Sequence, residues 1–154
     1  MDLGLRGRNA VVLGGTRGIG RAIAGTLASE GAGVAVCARN ADQVLNAVAE
    51  LQTLGVRATG ASVDITDGAA LKSWIANVAR EFGGIDMLFS NAGAMAQGGD
   101  PASWEQNFRL DVLGAVNAFE AALLEFRAAK ADKDIQQTEH ILQRVQVIIG
   151  QLKK

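Results

Sequence analysis

The stretch Val11-Val12-Leu13-Gly14-Gly15-Thr16-Arg17-Gly18-Ile19-Gly20 decides how this chain is read. An aliphatic run enters two glycines, and after Gly20 apolar residues return at Ile23 and Leu27, which is helical spacing. The pattern is strand, glycine turn, helix. In such a turn the first N–H groups of the helix lie open, the positive end of the helix dipole favours an anion, and glycines keep β-carbons away from a pyrophosphate. A glycine-rich turn that binds nothing is the competing reading.

The same alternation continues outward. Residues 34–37 read as a strand, and residues 42–54 as a helix with Val44, Leu45, Val48 and Leu51 inward and Gly55 as its stop. A strand follows at about 57–63, then a helix at 68–82 with Leu71, Trp74, Ile75 and Val78 inward, and a strand at 85–89. Strands separated by helices imply a parallel, doubly wound sheet: an α/β, Rossmann-like fold cut to about four strands. After the loop Gly98-Gly99-Asp100-Pro101, Ser103 is expected to cap a fourth helix through Trp104, Phe108, Val112, Val116 and Phe119 to about Arg127. The whole chain agrees: 154 residues with 49% hydrophobic and 20% charged side chains make one domain with a real core, and 19 glycines against one proline speak against a plain helical bundle. The formal net charge of −1 gives no global field for nucleic acid or anionic lipid. The single cysteine, Cys37, makes no intramolecular disulfide, and with no signal core or long apolar run the expectation is a cytoplasmic protein without a membrane segment.

Composition shifts near residue 128, so the chain divides into a part that carries the glycine turn, 1–127, expected to be a dinucleotide-binding domain if that turn holds a pyrophosphate, and a tail, 128–154. Ile135, Leu142, Val145, Ile149 and Leu152 fall on the a and d positions of a heptad, with Thr138 the break, which favours a helical association segment. The β-branched stretch Val145-Gln146-Val147-Ile148-Ile149 also suits a strand. His140, the only histidine, lies beside Glu139 on a polar face and gathers no metal ligands around it.

Three motifs carry a family resemblance over residues 5–127. Gly14-x-x-x-Gly18-Ile19-Gly20 resembles the T-G-x-x-x-G-I-G turn of the short-chain dehydrogenase/reductase family, with Leu13 replacing the threonine. Val63-Asp64-Ile65 is similar to the family's D-V segment, whose carboxylate contacts the adenine, although Asp64 also reads simply as a strand end. Residues 85–93, ending Ser90-Asn91-Ala92-Gly93, resemble the G-x-I-D-x-L-x-x-N-A-G stretch, with Ser90 for the commoner second asparagine. The resemblance implies a nicotinamide dinucleotide held by Gly14, Thr16, Arg17, Gly18, Ile19, Gly20, Arg39, Asn40, Asp64, Ile65, Asn91, Ala92 and Gly93. An acidic residue at the end of the second strand would select NAD(H), but Cys37-Ala38 stands there. Arg39 follows and Arg17 sits in the turn, a pair suited to a 2′-phosphate, so NADP(H) is favoured over NAD(H). Two solvated surface arginines are the alternative, and Cys37 reads as a small buried residue rather than a reactive thiol.

Catalytic residues do not follow from the resemblance. The family's general acid/base is the Tyr of a Y-x-x-x-K motif, and the chain contains no tyrosine. In Trp104-x-x-x-Phe108-x-x-Asp111-x-x-Gly114, aspartate replaces the asparagine of the family's W-x-x-x-F-x-x-N-x-x-G pattern. What is present resembles the family's first half, expected to be inactive as this chain alone, with no catalytic or metal site assigned. One reading is the NADP(H)-binding half of an oxidoreductase acting on a small molecule; the other is a non-catalytic oligomerising scaffold, or a truncated or engineered fusion. The family's strand order is 3-2-1-4 with further strands beyond, so the fourth strand is left uncovered when the second half is absent, and a homo-oligomer through the fourth helix and tail is expected.

Overall fold

The computed structural model describes residues 3–93 and 98–128. Four parallel strands, β1 (Asn9–Leu13), β2 (Gly33–Ala38), β3 (Ala58–Ser62) and β4 (Met87–Ser90), form one sheet in the order β3-β2-β1-β4. The connections are the helices α1 (Gly18–Ser29), α2 (Ala41–Gln52) and α3 (Gly68–Phe82). After β4 come α4 (Pro101–Asn107), a π-helical segment (Phe108–Leu113) and α5 (Gly114–Ala128). The chain first winds outward from β1 through β2 to β3, then crosses back to place β4 on the other side of β1. That reversal opens a crevice between the carboxyl ends of β1 and β4.

β1 is central and covered on both faces, which is why it is a continuous apolar run rather than an alternating one. Its alternate side chains serve opposite layers. Val11 and Leu13 join Leu71, Trp74, Ile75, Val78 and Ala118 on the side of α3 and α5. Ala10 and Val12 join Ala24, Leu27, Val44 and Leu51 on the side of α1 and α2. Each large aliphatic side chain so buried contributes about 1.5–3 kcal/mol from the area withdrawn from water.

Several boundaries and facings differ from the sequence expectation. β1 begins at Asn9 because Asn9 pairs with Gly33 and its side chain donates to the carbonyls of Phe82, at 3.3 Å, and Gly84, at 3.0 Å. β3 is the shorter Ala58–Ser62, and β4 is displaced to Met87–Ser90, where it pairs with Ala10 to Leu13 of β1. Leu45 is not inward: it is 68% exposed, and α2 buries Val44, Ala47 and Leu51 instead. That helix ends at Gln52, ahead of Gly55. The fourth helix is capped by Asp100, not Ser103; the Asp100 carboxylate accepts from the Ser103 amide at 3.0 Å and its hydroxyl at 2.8 Å, with Pro101 in the first turn. This helix is also not one α-helical run, being interrupted by the π-helical segment, and Trp104 on it is 69% exposed. The tail and His140 lie outside the described residues.

A cavity of about 300 Å³ lies at the amino ends of the strands, lined among others by Arg6, Asn9, Ser29 and Arg57. Arg57 there bonds the Asn9 side chain at 3.1 Å and the Phe82 carbonyl at 3.2 Å, with its guanidinium 5.0 Å from the Phe82 ring centroid. This arrangement closes the carboxyl end of α3 with a cation, as the helix dipole favours. It is the opposite end of the sheet from the crevice and contains none of the expected cofactor residues.

Candidate functional site

The glycine turn is fixed from both sides at the end of β1. The Gly14 amide donates to the Cys37 carbonyl of β2 at 2.8 Å, and the Asn91 amide donates to the Leu13 carbonyl at 3.2 Å. Gly14 has φ 70°, and a β-carbon placed on it would come 2.9 Å from the backbone of Ala92. A β-carbon on Gly20 would collide with the Gly14 carbonyl and the Asn91 side-chain amide. Gly14, Gly20, Asn91 and Ala92 are therefore packed against one another, although more than seventy residues separate the two motifs. Gly18 differs. Its φ is 54°, and a β-carbon there would meet nothing within 4 Å, so the turn presents bare backbone to open space. Arg17 stands at the N-cap of α1, and its donor-only guanidinium cannot accept from the N–H groups at the helix start, so no side chain caps them. Ile19 in the first turn is 73% exposed, at the rim of the same opening.

The other expected residues follow in strand order across the carboxyl ends. At β2, Cys37 is fully buried, and burial pushes its thiol up to about 12, which leaves it a packing residue without nucleophilic character. Arg39 is exposed just beyond the strand; its carbonyl accepts from the Ser62 hydroxyl at 2.8 Å, tying the ends of β2 and β3 together. Asn40 caps α2, its side-chain Oδ1 accepting from the Gln43 amide at 2.9 Å, and the Thr16 hydroxyl reaches the Gln43 side chain at 3.5 Å. Gln43 and Ser62 were not expected from the sequence; they act through the fold, by contacts between consecutive strand ends.

Beyond β3, Asp64 is exposed, and its carboxylate accepts from both the amide and the hydroxyl of Thr66, at 2.9 and 2.8 Å. Those bonds hold its carboxyl below the usual carboxylate range, with a smaller contribution from the charge of Arg39. Ile65 is buried and its carbonyl accepts from the Asn117 side chain of α5 at 3.2 Å. At β4, a β-carbon on Gly93 would lie 3.4 Å from Asp111 Oδ1, so the π-helical segment meets the end of this strand. Asn91, Ala92 and Gly93 thus stand on the far side of the glycine turn from Arg39 and Asp64.

This geometry fits an extended ligand with an anionic middle: exposed cation and carboxylate at one end, bare main chain at the centre, small residues at the other. Among the described residues no group of three or more His, Cys, Asp or Glu is placed to hold a metal ion, and no helix is long and apolar enough to cross a membrane.

Known proteins with these features are numerous. The family model for short chain dehydrogenase matches residues 8–147, continuing past residue 127 into the tail. Isoepoxydon dehydrogenase of Penicillium expansum is 35% identical over 127 residues, which are 79% of this chain and 48% of that protein. The structure of L-sorbose reductase from Gluconobacter frateurii, complexed with NADPH and L-sorbose, superimposes with TM-score 0.76 and 32% identity, covering 84% of this chain and 51% of that one. NAD+-bound xylitol dehydrogenase gives TM-score 0.75 at 29% identity, covering 79% of this chain and 48% of its own. The chain spans about half the length of the relatives it matches.

Proposed function

The chain belongs to the short chain dehydrogenase family, and from that premise we propose that it is the NADP(H)-binding half of an oxidoreductase. The observation that carries this reading is the interlocked turn, in which Gly14 and Gly20 are held against Asn91 and Ala92 while Gly18 alone opens to space. Backbone N–H groups at the start of α1 would hold the pyrophosphate, Asp64 would meet the adenine end, and Asn91 to Gly93 would border the nicotinamide end. When bound, the cofactor supplies the hydride chemistry. The described residues bind and orient it.

The preference for the phosphorylated cofactor rests on charge. No carboxylate stands at the end of β2 to repel a 2′-phosphate, and both Arg17 and Arg39 are exposed near that corner of the crevice. Solved neighbours occur with NADPH and with NAD+, so relatedness alone does not select between them. Calorimetric titration of NADPH and NADH into the chain should give tighter NADPH binding; equal or stronger NADH binding would overturn the preference. With no tyrosine among its 154 residues, the chain needs a proton donor from another source for turnover. That same feature favours the second reading, a non-catalytic scaffold that keeps the fold. The one cysteine, buried and unactivated, suits a reducing, cytoplasmic setting. Assembly as a homo-oligomer through α4, α5 and the tail completes the proposal, supported by the exposure of Trp104, Phe119 and Leu124.

A further inference from the structure

Asp111 is a carboxylate where the family's pattern has a neutral asparagine, and its place in the fold gives that change a consequence. The π-helical segment that carries it is anchored against the loop after β3. A β-carbon on Gly114 would come 2.6 Å from Ile65 Cδ1 and 2.9 Å from its Cγ1, so glycine gives a close approach that any larger residue would reach only by displacing the Ile65 side chain, and one turn later Asn117 donates to the Ile65 carbonyl at 3.2 Å. Held in this way, the segment brings Asp111 Oδ1 to within 3.4 Å of a β-carbon position on Gly93, at the end of β4.

The strand order sets which part of a dinucleotide arrives there. Asp64 and Arg39 stand beyond β3 and β2, the glycine turn lies at β1, and Gly93 lies beyond β4. With the adenosine on the β2–β3 side and the pyrophosphate at the turn, the nicotinamide falls on the side of Gly93 and Asp111. The nicotinamide ring carries a positive charge only when oxidised. The phosphates and adenosine are the same in both forms, so their interaction with the Asp111 carboxylate cancels when the two affinities are compared. We infer that Asp111 biases the site toward the oxidised cofactor, acting as a charge at the nicotinamide end rather than as a copy of the asparagine it replaces. This inference rests on the cofactor reading above.

The bias should be about five-fold in affinity ratio, the size of one ion contact at close range in a solvent-like dielectric. For a two-electron couple, that ratio lowers the reduction potential of the bound cofactor by about 20 mV. The test is the binding of NADP+ and NADPH, each titrated by calorimetry into the unmodified chain and into Asp111→Asn, with circular dichroism to confirm that the near-isosteric variant is folded. The ratio of NADPH to NADP+ dissociation constants should fall about five-fold in Asp111→Asn. As Asp111 is exposed, the ratio in the unmodified chain should also fall from low to high salt. A ratio unchanged by the substitution, or insensitive to salt in the unmodified chain, overturns the inference and leaves the cofactor site standing. Failure of the unmodified chain to bind either form overturns the cofactor reading and the inference with it.

Discussion

Asp64 connects a single residue's ionisation to the shape of the site. Two hydrogen bonds from Thr66 favour its charged form, so its carboxyl in the folded chain titrates below the value it has when unfolded. A depressed carboxyl pKa contributes stability that is present above the unfolded value, about 3.9, and is lost as pH falls through the folded one. Asp64→Asn should therefore lower the melting temperature at neutral pH, with the gap to the unmodified chain closing in acid. A gap of the same size at every pH, measured by circular dichroism, would show that the carboxylate's charge is not involved. The family resemblance pointed to Asp64, Gly14, Gly20 and Asn91 as cofactor residues because each belongs to a local motif. It did not reveal Thr66, Gln43, Ser62 or Asn117, whose parts depend on short turns and on which strand ends are neighbours. Asp100 was legible in principle: an acidic residue before a proline at a helix start outcompetes a serine three positions on.

At the level of elements, the repeated strand, turn and helix made the parallel sheet readable, while strand ends were set by partners. β4 shows this most clearly, since its limits follow its pairing with Ala10 to Leu13 rather than its own apolar run. Periodicity also left the π-helical segment hidden, because a local widening of the helix hardly alters the spacing of Phe108, Val112 and Val116. Within the described residues β4 pairs only with β1, which makes it an edge strand of the sheet. Exposed apolar edges invite association. Residues beyond α5 are the material proposed to meet that need, through Ile135, Leu142, Val145, Ile149 and Leu152; burying these five would contribute roughly 7–15 kcal/mol before association and ordering costs. Exchanging Leu142 and Ile149 for Glu should dissociate or precipitate the assembly in sedimentation experiments. A well-behaved monomer of the unmodified chain would contradict it, placing the stripe on its own subunit.

The whole molecule joins a packed two-faced sheet to a crevice whose lining comes from every strand end. Among the described residues the two large hydrophobic layers lie on opposite faces of the sheet, and β1 contributes to both, so the turn at its carboxyl end is held by a fully buried strand. The packing at Gly14 and Gly20 fixes the turn, and Gly18 leaves its backbone facing open space. Fluorescence titration of NADPH into the unmodified chain and into Gly18→Val, side by side, tests this most directly. A β-carbon at Gly18 meets no protein atom within 4 Å, so valine there would direct its branched side chain toward the opening that the pyrophosphate would occupy, in a backbone conformation unfavourable to β-branched residues. The predicted result is saturable NADPH binding by the unmodified chain and loss of at least ten-fold, roughly one lost charge-assisted contact, in the folded variant. No binding by the unmodified chain, or unchanged binding by folded Gly18→Val, would contradict the assignment of this turn as a dinucleotide site.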